Sequence, residues 1–491
     1  MASNNGAQAP TPTQTQVLVV GAGPVGAFTA LLLAHSGIQV TLVEANSDVD
    51  SSPRAMAFQP CALAELVEAG IYDEVLEHSV RDAVISWWRA GLGAEKKHVA
   101  TIATKEGREP FLTGLNCAQS VVTKILLSHL AKEPSASIHF GHRVVGVVEK
   151  EGEEDGDGDT NRQVVVTLEH TLPQPKTNHL DEVEVEAQAA EKNQTLQTQI
   201  RASWLVGADG GRSTVRTAAG IAFEGFTWPK EEFVATNVYY PFEQYQYTNR
   251  NFIIDPVHWA IVAKINNDGL WRVAYGTTPN LTDAQIHAEL PQHYKYILPG
   301  PGTDYRLERV SKYRPHQRCA ATFRKPNSRI LLVADAAHLN NPIGGLGLTT
   351  GILDAGPMAR ALSAVIQRRG PESLLDTWSD LRRRTWWEQT NRQSIEFERI
   401  AQQGGYGLDP SHIWDHDEVA RERGMLHHIA HATPDMREKD EALNEALKVP
   451  ENQRAARRRV WALAMPPDWM ADFEDSAVVD RRRKLRPESC Q

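Results

Sequence analysis

The feature that most constrains the fold of this chain is a glycine-rich turn that directly follows a short apolar run. Residues 17–20 read VLVV, and residues 21–26 read GAGPVG, which fits the pattern GxGxxG. In a strand–turn–helix unit Gly21 can make the tight turn, Gly23 lets the backbone approach a pyrophosphate, and Gly26 permits close packing of helix on strand. The N–H groups at the start of the helix then face the phosphates. The sequence therefore predicts a dinucleotide site at this turn.

A second apolar stretch, VTLVEA, ends in an acidic residue that suits the same site. Glu44 lies 18 residues after Gly26, and a carboxylate at that place accepts hydrogen bonds from a ribose diol. The segment between the two strands (AFTALLLAHSG) predicts a helix, which completes a βαβ unit. This unit does not distinguish FAD from NAD. The run 17–34 is almost free of polar residues, but its three glycines and one proline favour a buried strand, turn and helix over a membrane span.

Charge and cysteine usage exclude several classes of protein. A net charge of −10 argues against a nucleic-acid partner, which needs a basic surface. The four cysteines form no CxxC pair, which indicates neither a metal site nor a disulfide framework and favours a reducing, cytoplasmic location. The polar start MASNNGAQAPTPTQTQ is unlike a secretory signal, and the run RRRK at 481–484 is typical of a solvated end or of a localisation signal. We expect a cytoplasmic monomer or homodimer without a metal, a membrane span or nucleic acid.

Two later segments repeat the arrangement of a buried strand followed by small residues and the start of a helix. Residues 204–216 read WLVGADGGRSTVR, and residues 330–351 read ILLVADAAHLNNPIGGLGLTTG. Each can present backbone N–H groups to an extended cofactor. The GGLG turn opens a helix whose positive end suits the N1–C2=O edge of a flavin, because that edge becomes negative on reduction. The second and third segments therefore favour FAD over NAD as the bound dinucleotide.

With these three motifs in this order, the chain resembles the class A flavoprotein monooxygenases, which have the para-hydroxybenzoate hydroxylase-like fold. The resemblance covers roughly residues 16–370 and depends on GAGPVG with Glu44, the DG motif GADGGRSTVR and the GD motif ADAAHLNNPIGGLGLTTG. It implies FAD as the cofactor and NAD(P)H as the co-substrate. The phenol-hydroxylase branch carries a thioredoxin-like C-terminal extension, and its absence here indicates a shorter branch.

The resemblance also implies roles for individual residues. Asp335 of the GD motif would contact the ribityl or phosphate region of the flavin. Asp209 and Arg212 of the DG motif would serve cofactor binding and the use of NAD(P)H. Arg54 (in SSPRAMAF) and Gln119 occupy the places of an arginine and a helix-heading residue that approach the cofactor. Simpler roles stay open: a surface arginine at 54, a helix cap at 119 and a turn cap at 209.

The GD motif departs from the family pattern at several positions, which are Ala334, Leu346, Leu348, Thr349 and Pro357. Ala334 stands where the family usually has glycine, and the others replace Gln, Met, Asn and Asn. Gly345, Gly347 and Leu348 are still expected to border the flavin, so the departures change details of the contact and leave binding in place. His338 is expected to be a packing or hydrogen-bonding residue more than an acid–base catalyst.

The expected fold class is α/β: a Rossmann-like FAD-binding domain with an inserted, mainly antiparallel β substrate domain and a helical C-terminal region. A chain of 491 residues is long enough for two or three compact units. The expected boundaries are a disordered N-terminus at 1–16, an FAD-binding domain in three parts (17–90, 119–230 and 326–370), substrate-domain segments at 91–118 and 231–325, and helices over 371–491. The polar stretches 150–162 and 173–198 are predicted to be surface loops. The helices from about 371 could cover the substrate sheet or build a dimer interface.

The expected substrate is an aromatic small molecule of phenolic, polyketide-like type, as in secondary metabolism. The resemblance implies that NAD(P)H reduces FAD, that O₂ then forms a flavin C4a-hydroperoxide, and that this species inserts one oxygen atom into the ring. Residues 232–276 alternate apolar with polar or aromatic side chains, which is typical of an antiparallel sheet. Tyr239 and Arg272 in that sheet are the candidate catalytic residues, because they can bind or polarise a phenolate or ketone.

Three alternatives remain open at this stage. The same flavin chemistry also performs Baeyer–Villiger oxidation, epoxidation or dearomatising hydroxylation. A dehydrogenase that uses NAD(P) alone would leave the DG and GD motifs unexplained. A non-catalytic flavin-binding protein would be yellow without substrate-stimulated oxidation of NAD(P)H. A flavin halogenase is disfavoured because the sequence has no WxWxIP motif.

Overall fold

The computed structural model describes residues 13–51, 55–82, 84–92, 96–103, 114–150, 162–171, 195–228, 232–255, 257–300 and 304–402. All structural statements below concern these residues. Arg54, residues 1–12, most of the two polar stretches, and the C-terminal region after residue 402 lie outside them.

The helices in the described ranges are α1 (Pro24–His35), α2 (Pro60–Glu68), α3 (Tyr72–Glu77), α4 (Gln119–Leu130), α5 (Thr214–Ala218), α6 (Asp283–Ile297), α7 (Leu346–Ile366), α8 (Ser373–Thr385) and α9 (Arg392–Gln402). The strands are β1 (Thr13–Val20), β2 (Val40–Val43), β3 (Ala57–Phe58), β4 (Val80–Asp82), β5 (Val84–Arg89), β6 (Lys97–Ala103), β7 (Gly114–Asn116), β8 (Ala136–His139), β9 (His142–Lys150), β10 (Gln163–Thr171), β11 (Thr195–Gly207), β12 (Phe223–Thr227), β13 (Glu232–Tyr239), β14 (Arg250–Ile254), β15 (Ala260–Lys264), β16 (Leu270–Thr277), β17 (Arg306–Tyr313), β18 (His316–Ala320), β19 (Ile330–Leu332) and β20 (His338–Leu339).

The first sheet carries the glycine-rich turn. Its strands lie in the order β8-β2-β1-β11-β10-β9, and β19 also pairs with β11. Strands β8, β2, β1, β11 and β19 run parallel, and the VLVV run is buried as expected for a parallel strand covered on both faces. Because β1, β11 and β19 are neighbours, the three motifs that follow their carboxyl ends meet at one edge of the sheet. The predicted Rossmann-like arrangement is confirmed.

The N-terminal strand and the first helix differ in detail from expectation. Strand β1 begins at Thr13, inside the segment 1–16 predicted to be disordered, because Thr13 pairs with Ile200 of the long strand β11. Helix α1 packs against α4 and α7 as well as the sheet, so almost all of its residues are buried. This burial on every side explains why the sequence of the helix is apolar throughout. Across the described residues, every helix is too short or too polar to span a membrane.

The second sheet contains the predicted antiparallel strands. Its order is β17-β13-β16-β15-β14-β5-β6, and neighbours are antiparallel except β14 and β5. Strand β5 also belongs to this sheet. The sheet therefore includes residues before position 91, which was the expected start of the first substrate-domain segment. One face packs against α6 around Trp271 and Tyr294. The opposite face, called the inner face below, includes Phe233 and packs against Ile343 of the GD motif.

The helices after the GD motif cover part of this inner face. Helix α8 continues through a π-helical segment, Trp386–Asn391, into α9. The ring of Phe397 on α9 stacks on Phe252 of β14 with 6.0 Å between centroids, and the N–H of Asp255 donates to the carbonyl of Ala401. Helix α9 therefore covers part of the antiparallel sheet, which is one of the two arrangements considered for the helices after residue 371.

Candidate functional site

The three glycines of the first motif meet different surroundings. Gly21 has φ +102°, and a Cβ there would lie 2.4 Å from the carbonyl oxygen of Ala208. A Cβ at Gly26 would lie 1.9 Å from the carbonyl oxygen of Gly21. At Gly23, by contrast, nothing lies within 4 Å of the Cβ position. Two glycines are thus required by the close approach of protein backbone, and the middle one faces open space at the N-terminus of α1, where a pyrophosphate can approach.

The carboxylate of Glu44 is held in place at the end of β2. Its Oε2 accepts a hydrogen bond from the N–H of Ala22 (2.8 Å), and its Oε1 accepts one from Asn46 (2.9 Å). The side chain is half-buried. Each carboxylate oxygen has a second lone pair, so these bonds orient Glu44 beside the glycine turn without using up its capacity to accept from a ribose.

Asp209 of the DG motif makes the contacts of a helix cap. Its carboxylate accepts hydrogen bonds from the hydroxyl of Ser213 and from the backbone N–H groups of Thr214 and Val215. Burial raises the pKa of this carboxyl, and the hydrogen bonds oppose that rise. These contacts are those of a turn cap, which was the simpler alternative considered for Asp209. Arg212 beside it is exposed.

Arg216 is a site residue that sequence reasoning missed, although it closes the DG motif. Its guanidinium donates to the carbonyls of Ala336 and Gly211, each at 2.9 Å, and lies 3.7 Å above the ring of Phe223. Ala336 belongs to the GD motif, so this buried arginine clamps the second motif to the third. The signal available in the sequence was only the position of Arg216, three residues after the cap at Ser213.

The GD motif begins with a residue in an unusual conformation. Ala334 has φ +53°, in the left-handed region that favours glycine. This explains why glycine is the family's usual residue there and why alanine is a departure with an energetic cost. The backbone turn presents Asp335 as an exposed side chain at the carboxyl end of β19.

The GD loop, residues 340–345, is fastened to the segment that precedes α2. The N–H of Gln59 donates to Thr349 Oγ1 (3.0 Å), and its side-chain amide donates to the carbonyl of Gly344 (3.2 Å). The departure at Thr349 thus supplies a hydroxyl that the structure uses. Gly345 adopts φ +64° at the N-cap of α7, and the Cβ position of Gly347 is open except for Asn340 Oδ1 at 3.9 Å.

The structure also describes Gln119, Leu348 and His338, three residues that the sequence analysis discussed. Gln119 begins α4, and its N–H donates to the carbonyl of Ala55, next to the undescribed Arg54. Leu348 is buried in the first turn of α7. His338 is buried, and its Nε2 lies 2.6 Å from Asp354 Oδ2.

Asp354 also accepts from Arg382 Nε at 2.8 Å. Burial would raise the pKa of Asp354, but His338 and Arg382 outweigh it, and the net shift is downward. His338 therefore forms a hydrogen bond to the buried Asp354–Arg382 ion pair, which is the hydrogen-bonding role expected for it.

The inner face of the second sheet carries the two candidate catalytic residues. Alternation along β13 and β16 places Asn237, Tyr239 and Arg272 on the same face as Phe233. Asn237 and Arg272 are register partners, and Arg272 Nε donates to Asn237 Oδ1 at 2.9 Å. Burial lowers the pKa of Arg272 to about 10, while Tyr313 opposes the shift, so the guanidinium stays charged at neutral pH. The structure thus holds a fixed cation on this face.

Small residues surround this cation. Ala263 is the register partner of Arg272, and Ala235 pairs with Ala274 on the neighbouring strands. Tyr239 packs against the cluster that contains Ala263 and Leu270, and the guanidinium carbon of Arg306 lies 3.9 Å from its ring centroid. The short alanine side chains surround the polar side chains of Asn237, Arg272 and Tyr239 on this face.

The arrangement at the carboxyl edge of the first sheet fits FAD. The open positions at Gly23 and Gly347, the oriented carboxylate of Glu44 and the exposed Asp335 lie along neighbouring strand ends. An extended dinucleotide needs this sequence of helix N-terminus, acid and glycine loop. Among the described residues, no three His, Cys, Asp or Glu side chains are placed to hold a metal ion.

Comparisons with known proteins agree with this geometry. A family model described as an FAD binding domain matches residues 14–167 and 172–393. A para-nitrophenol 4-monooxygenase from Pseudomonas sp. (strain WBC-3) is 37% identical over 377 residues, which is 76% of this chain and 84% of that protein. A 6-hydroxy-3-succinoylpyridine 3-monooxygenase from Pseudomonas putida is 32% identical over 374 residues, covering 76% and 85% of the two chains.

Two solved structures are also similar to this chain. The crystal structure of p-nitrophenol 4-monooxygenase from Pseudomonas putida DLL-E4 matches with a TM-score of 0.69 and 33% identity, over 89% of this chain and 99% of that one. An aklavinone-11 hydroxylase in ternary complex with FAD and aklavinone matches with a TM-score of 0.62 at 23% identity, over 80% and 70% of the two chains. The second similarity establishes the fold alone.

Proposed function

This chain belongs to the class A flavoprotein monooxygenases, which are FAD-dependent aromatic hydroxylases, and from that premise we propose that it hydroxylates a compact phenol bound against Arg272. The observation that carries the proposal is the half-buried guanidinium of Arg272, oriented by Asn237 on the inner face of the second sheet, which packs against Ile343 of the GD loop. A fixed positive charge beside a phenol lowers the phenol's pKa and favours the phenolate. A phenolate ring is richer in electrons and is the better acceptor of an electrophilic oxygen.

Bound FAD supplies the redox chemistry, taking a hydride from NAD(P)H and delivering one atom of O₂ to the ring while the other leaves as water. The chain's own residues bind, orient and exclude solvent. We propose that Gly23, Glu44, Asp335 and Gly347 hold the cofactor along the sheet edge. Arg272 would hold the phenolate oxygen, and Tyr239 would contact the far side of the ring. The aromatic cluster around Phe233 keeps water from this face.

The covering of the inner face favours a small substrate. Ile343 of the GD loop, with Phe397 and Ala401 of α9, already packs against Phe252, so part of the face is filled by the protein. The two curated relatives act, by their names, on para-nitrophenol and on a hydroxylated pyridine, each a single substituted ring. A monocyclic phenol with a polar substituent is therefore our first choice, and a larger polyketide-type phenol is the alternative.

An absorbance spectrum followed by anaerobic addition of NADPH tests the proposal. We expect flavin bands near ~375 and ~450 nm that bleach faster in the presence of one monocyclic phenol than with polycyclic phenols, since the cofactor carries the redox step. NMR of the product would show the new oxygen on the ring, which separates hydroxylation from Baeyer–Villiger oxidation or epoxidation. Protein that stays colourless after incubation with FAD would overturn the flavin site.

Substitution of Arg272 tests the substrate site separately. A charged hydrogen bond contributes about 1.5–3 kcal/mol, so Arg272→Met should raise KM for the phenol roughly 10- to 100-fold. Arg201→Met, at an exposed position on β11, is the matched control and should leave KM unchanged. An Arg272→Met enzyme with the wild-type KM would remove Arg272 from the site while leaving the flavin assignment intact.

We further propose that NAD(P)H docks on a basic patch formed by Arg212, Arg314, His316 and Arg318. His316 Nδ1 lies 2.8 Å from Thr227 Oγ1, and Arg318 Nη2 donates to the same oxygen at 3.2 Å, so the two side chains are neighbours. Burial lowers the pKa of His316, and the positive charges of Arg318, Arg314 and Arg212 lower it further. Such a patch suits the phosphates of a nicotinamide dinucleotide. Arg314→Gln should raise KM for NADPH and leave the KM for the phenol unchanged, and equal KM values for NADPH would contradict the assignment.

A further inference from the structure

A buried polar network fastens the GD loop to the last described helix. Asn341 is fully buried, and its side-chain amide donates to Glu398 Oε2 (2.7 Å) and to the carbonyl of Ser394 (2.9 Å). Its own Oδ1 accepts from the N–H of Ile343 (3.1 Å). Asn341 therefore uses both amide hydrogens and its carbonyl oxygen, so its orientation and the turn that it forms are fully specified.

The same network reaches strand β18, which contains Gln317. The N–H of Asn341 donates to Gln317 Oε1 (2.6 Å), and Gln317 Nε2 donates to Asn391 Oδ1 (2.7 Å) and Ser394 Oγ (2.9 Å). Asn391 is the last residue of the π-helical segment that precedes α9. A π turn inserts one residue and re-aims the side chains that follow, which is why such turns frequently occur at functional sites.

Helix α9 also contacts the substrate side of the molecule. Phe397 stacks on Phe252 of the second sheet, and a Cβ at Gly344 would lie 3.0 Å from the Phe397 ring. Residue 398 of this helix thus lies where the GD loop and the sheet bearing Arg272 come together. Glu398 is only 1% exposed, and a carboxylate is costly to bury unless its hydrogen bonds are well formed. Packing alone would be served better by an apolar side chain.

We propose that Glu398 is a positioning residue for oxygen transfer, acting through Asn341 to hold the GD loop against the flavin ring at the correct distance from the substrate sheet. The inference rests on the proposed flavin site. A shift of the loop would still allow bound flavin to consume NAD(P)H and O₂, but the substrate ring would no longer be placed to receive the oxygen atom.

Coupling is the measurement that reports this shift. It is the ratio of hydroxylated product to NAD(P)H oxidised, and the uncoupled electrons appear as hydrogen peroxide, one molecule for each NAD(P)H and O₂ consumed. We expect Glu398→Ala to bind FAD. Its kcat/KM for formation of the hydroxylated product should fall roughly 10- to 100-fold, because a misplacement of about 1 Å can cost this much. Glu398→Gln keeps an oxygen that can accept from Asn341 and should restore most of the coupling.

Two further variants complete the design. Asn341→Ala should reproduce the loss of coupling, and adding Glu398→Ala to it should cause no further loss, because the hydrogen bond between the two side chains is already gone. Should Glu398→Ala fail to fold, Asn341→Ala and Glu398→Gln carry the test. Glu77→Ala, on the exposed side of α3, removes a carboxylate elsewhere and should leave coupling at the wild-type value.

The outcomes distinguish this inference from the proposed function. Yellow, well-coupled Glu398→Ala enzyme would overturn the role of Glu398 while leaving the flavin site and Arg272 untouched. Equal uncoupling in Glu398→Gln and Glu398→Ala would overturn the hydrogen bond to Asn341 as its cause. Wild-type protein that binds no flavin would overturn both the site and the inference.

Discussion

Alanine substitutions at Gly23 and Gly26 should separate the binding role of the first motif from its folding role. A Cβ at Gly23 has nothing within 4 Å, and the backbone there (φ −65°, ψ 174°) is open to any residue. The methyl group would instead occupy the space where the pyrophosphate approaches. Overpacking of this kind costs about 1–3 kcal/mol, which corresponds to a roughly 5- to 150-fold rise in Kd for FAD.

The Gly26→Ala variant should behave in the opposite way. Its Cβ would lie 1.9 Å from the carbonyl oxygen of Gly21, where ordinary contacts begin near 3.4 Å, and a backbone carbonyl has little freedom to move away. Helix α1 must then separate from β1. We expect the apoprotein to lose about 3 kcal/mol or more of unfolding free energy, the upper end for overpacking.

Two measurements on apoprotein check these expectations. Urea unfolding should place Gly23→Ala within about 1 kcal/mol of wild type, since alanine is a slightly poorer N-cap than glycine, and Gly26→Ala far below it. Titration with FAD, followed by flavin fluorescence, should show weak binding by Gly23→Ala. Wild-type affinity in Gly23→Ala, or equal destabilisation of the two apoproteins, would refute the assignment of Gly23 to the cofactor.

Three other predictions concern stability. Ala334→Gly should change the free energy of unfolding by less than about 0.5 kcal/mol, because relief of the left-handed φ offsets the lost methyl burial, whereas Ala336→Gly should cost about 1 kcal/mol or more in urea unfolding. Arg216→Lys should cost about 3 kcal/mol by the same measurement, since it breaks two charged hydrogen bonds that join the DG and GD motifs. Burial, assisted by His258, lowers the pKa of His293 from 6.5 to about 4, so its contribution to stability is present above pH 6.5 and is lost as the pH falls towards 4. His293→Gln should flatten the stability profile in this window, and an unchanged profile would contradict the assignment.

The amino-acid sequence alone predicted much of the fold and the place of a dinucleotide site. The glycine turn, Glu44, the DG motif and the GD motif each need particular residue types at adjacent positions, so their local geometry leaves a direct trace in the order of amino acids. The alternating pattern over 232–276 predicted the antiparallel sheet for the same reason. The departure from the family pattern at Ala334 coincides with an unusual backbone conformation, a φ of +53°.

Contacts between distant parts of the chain were decided only by tertiary packing. Nothing in a linear pattern shows that Arg216 will bind a carbonyl 120 positions later, or that Asn341 will meet Glu398 across 57 residues. Asp209 illustrates the same limit, because a motif aspartate and a helix cap have the same sequence, and only the neighbouring N–H groups show which contacts form. Local motifs specify turns through backbone sterics. Which side chains then share a buried space depends on how whole strands and helices pack, a property that no short segment contains.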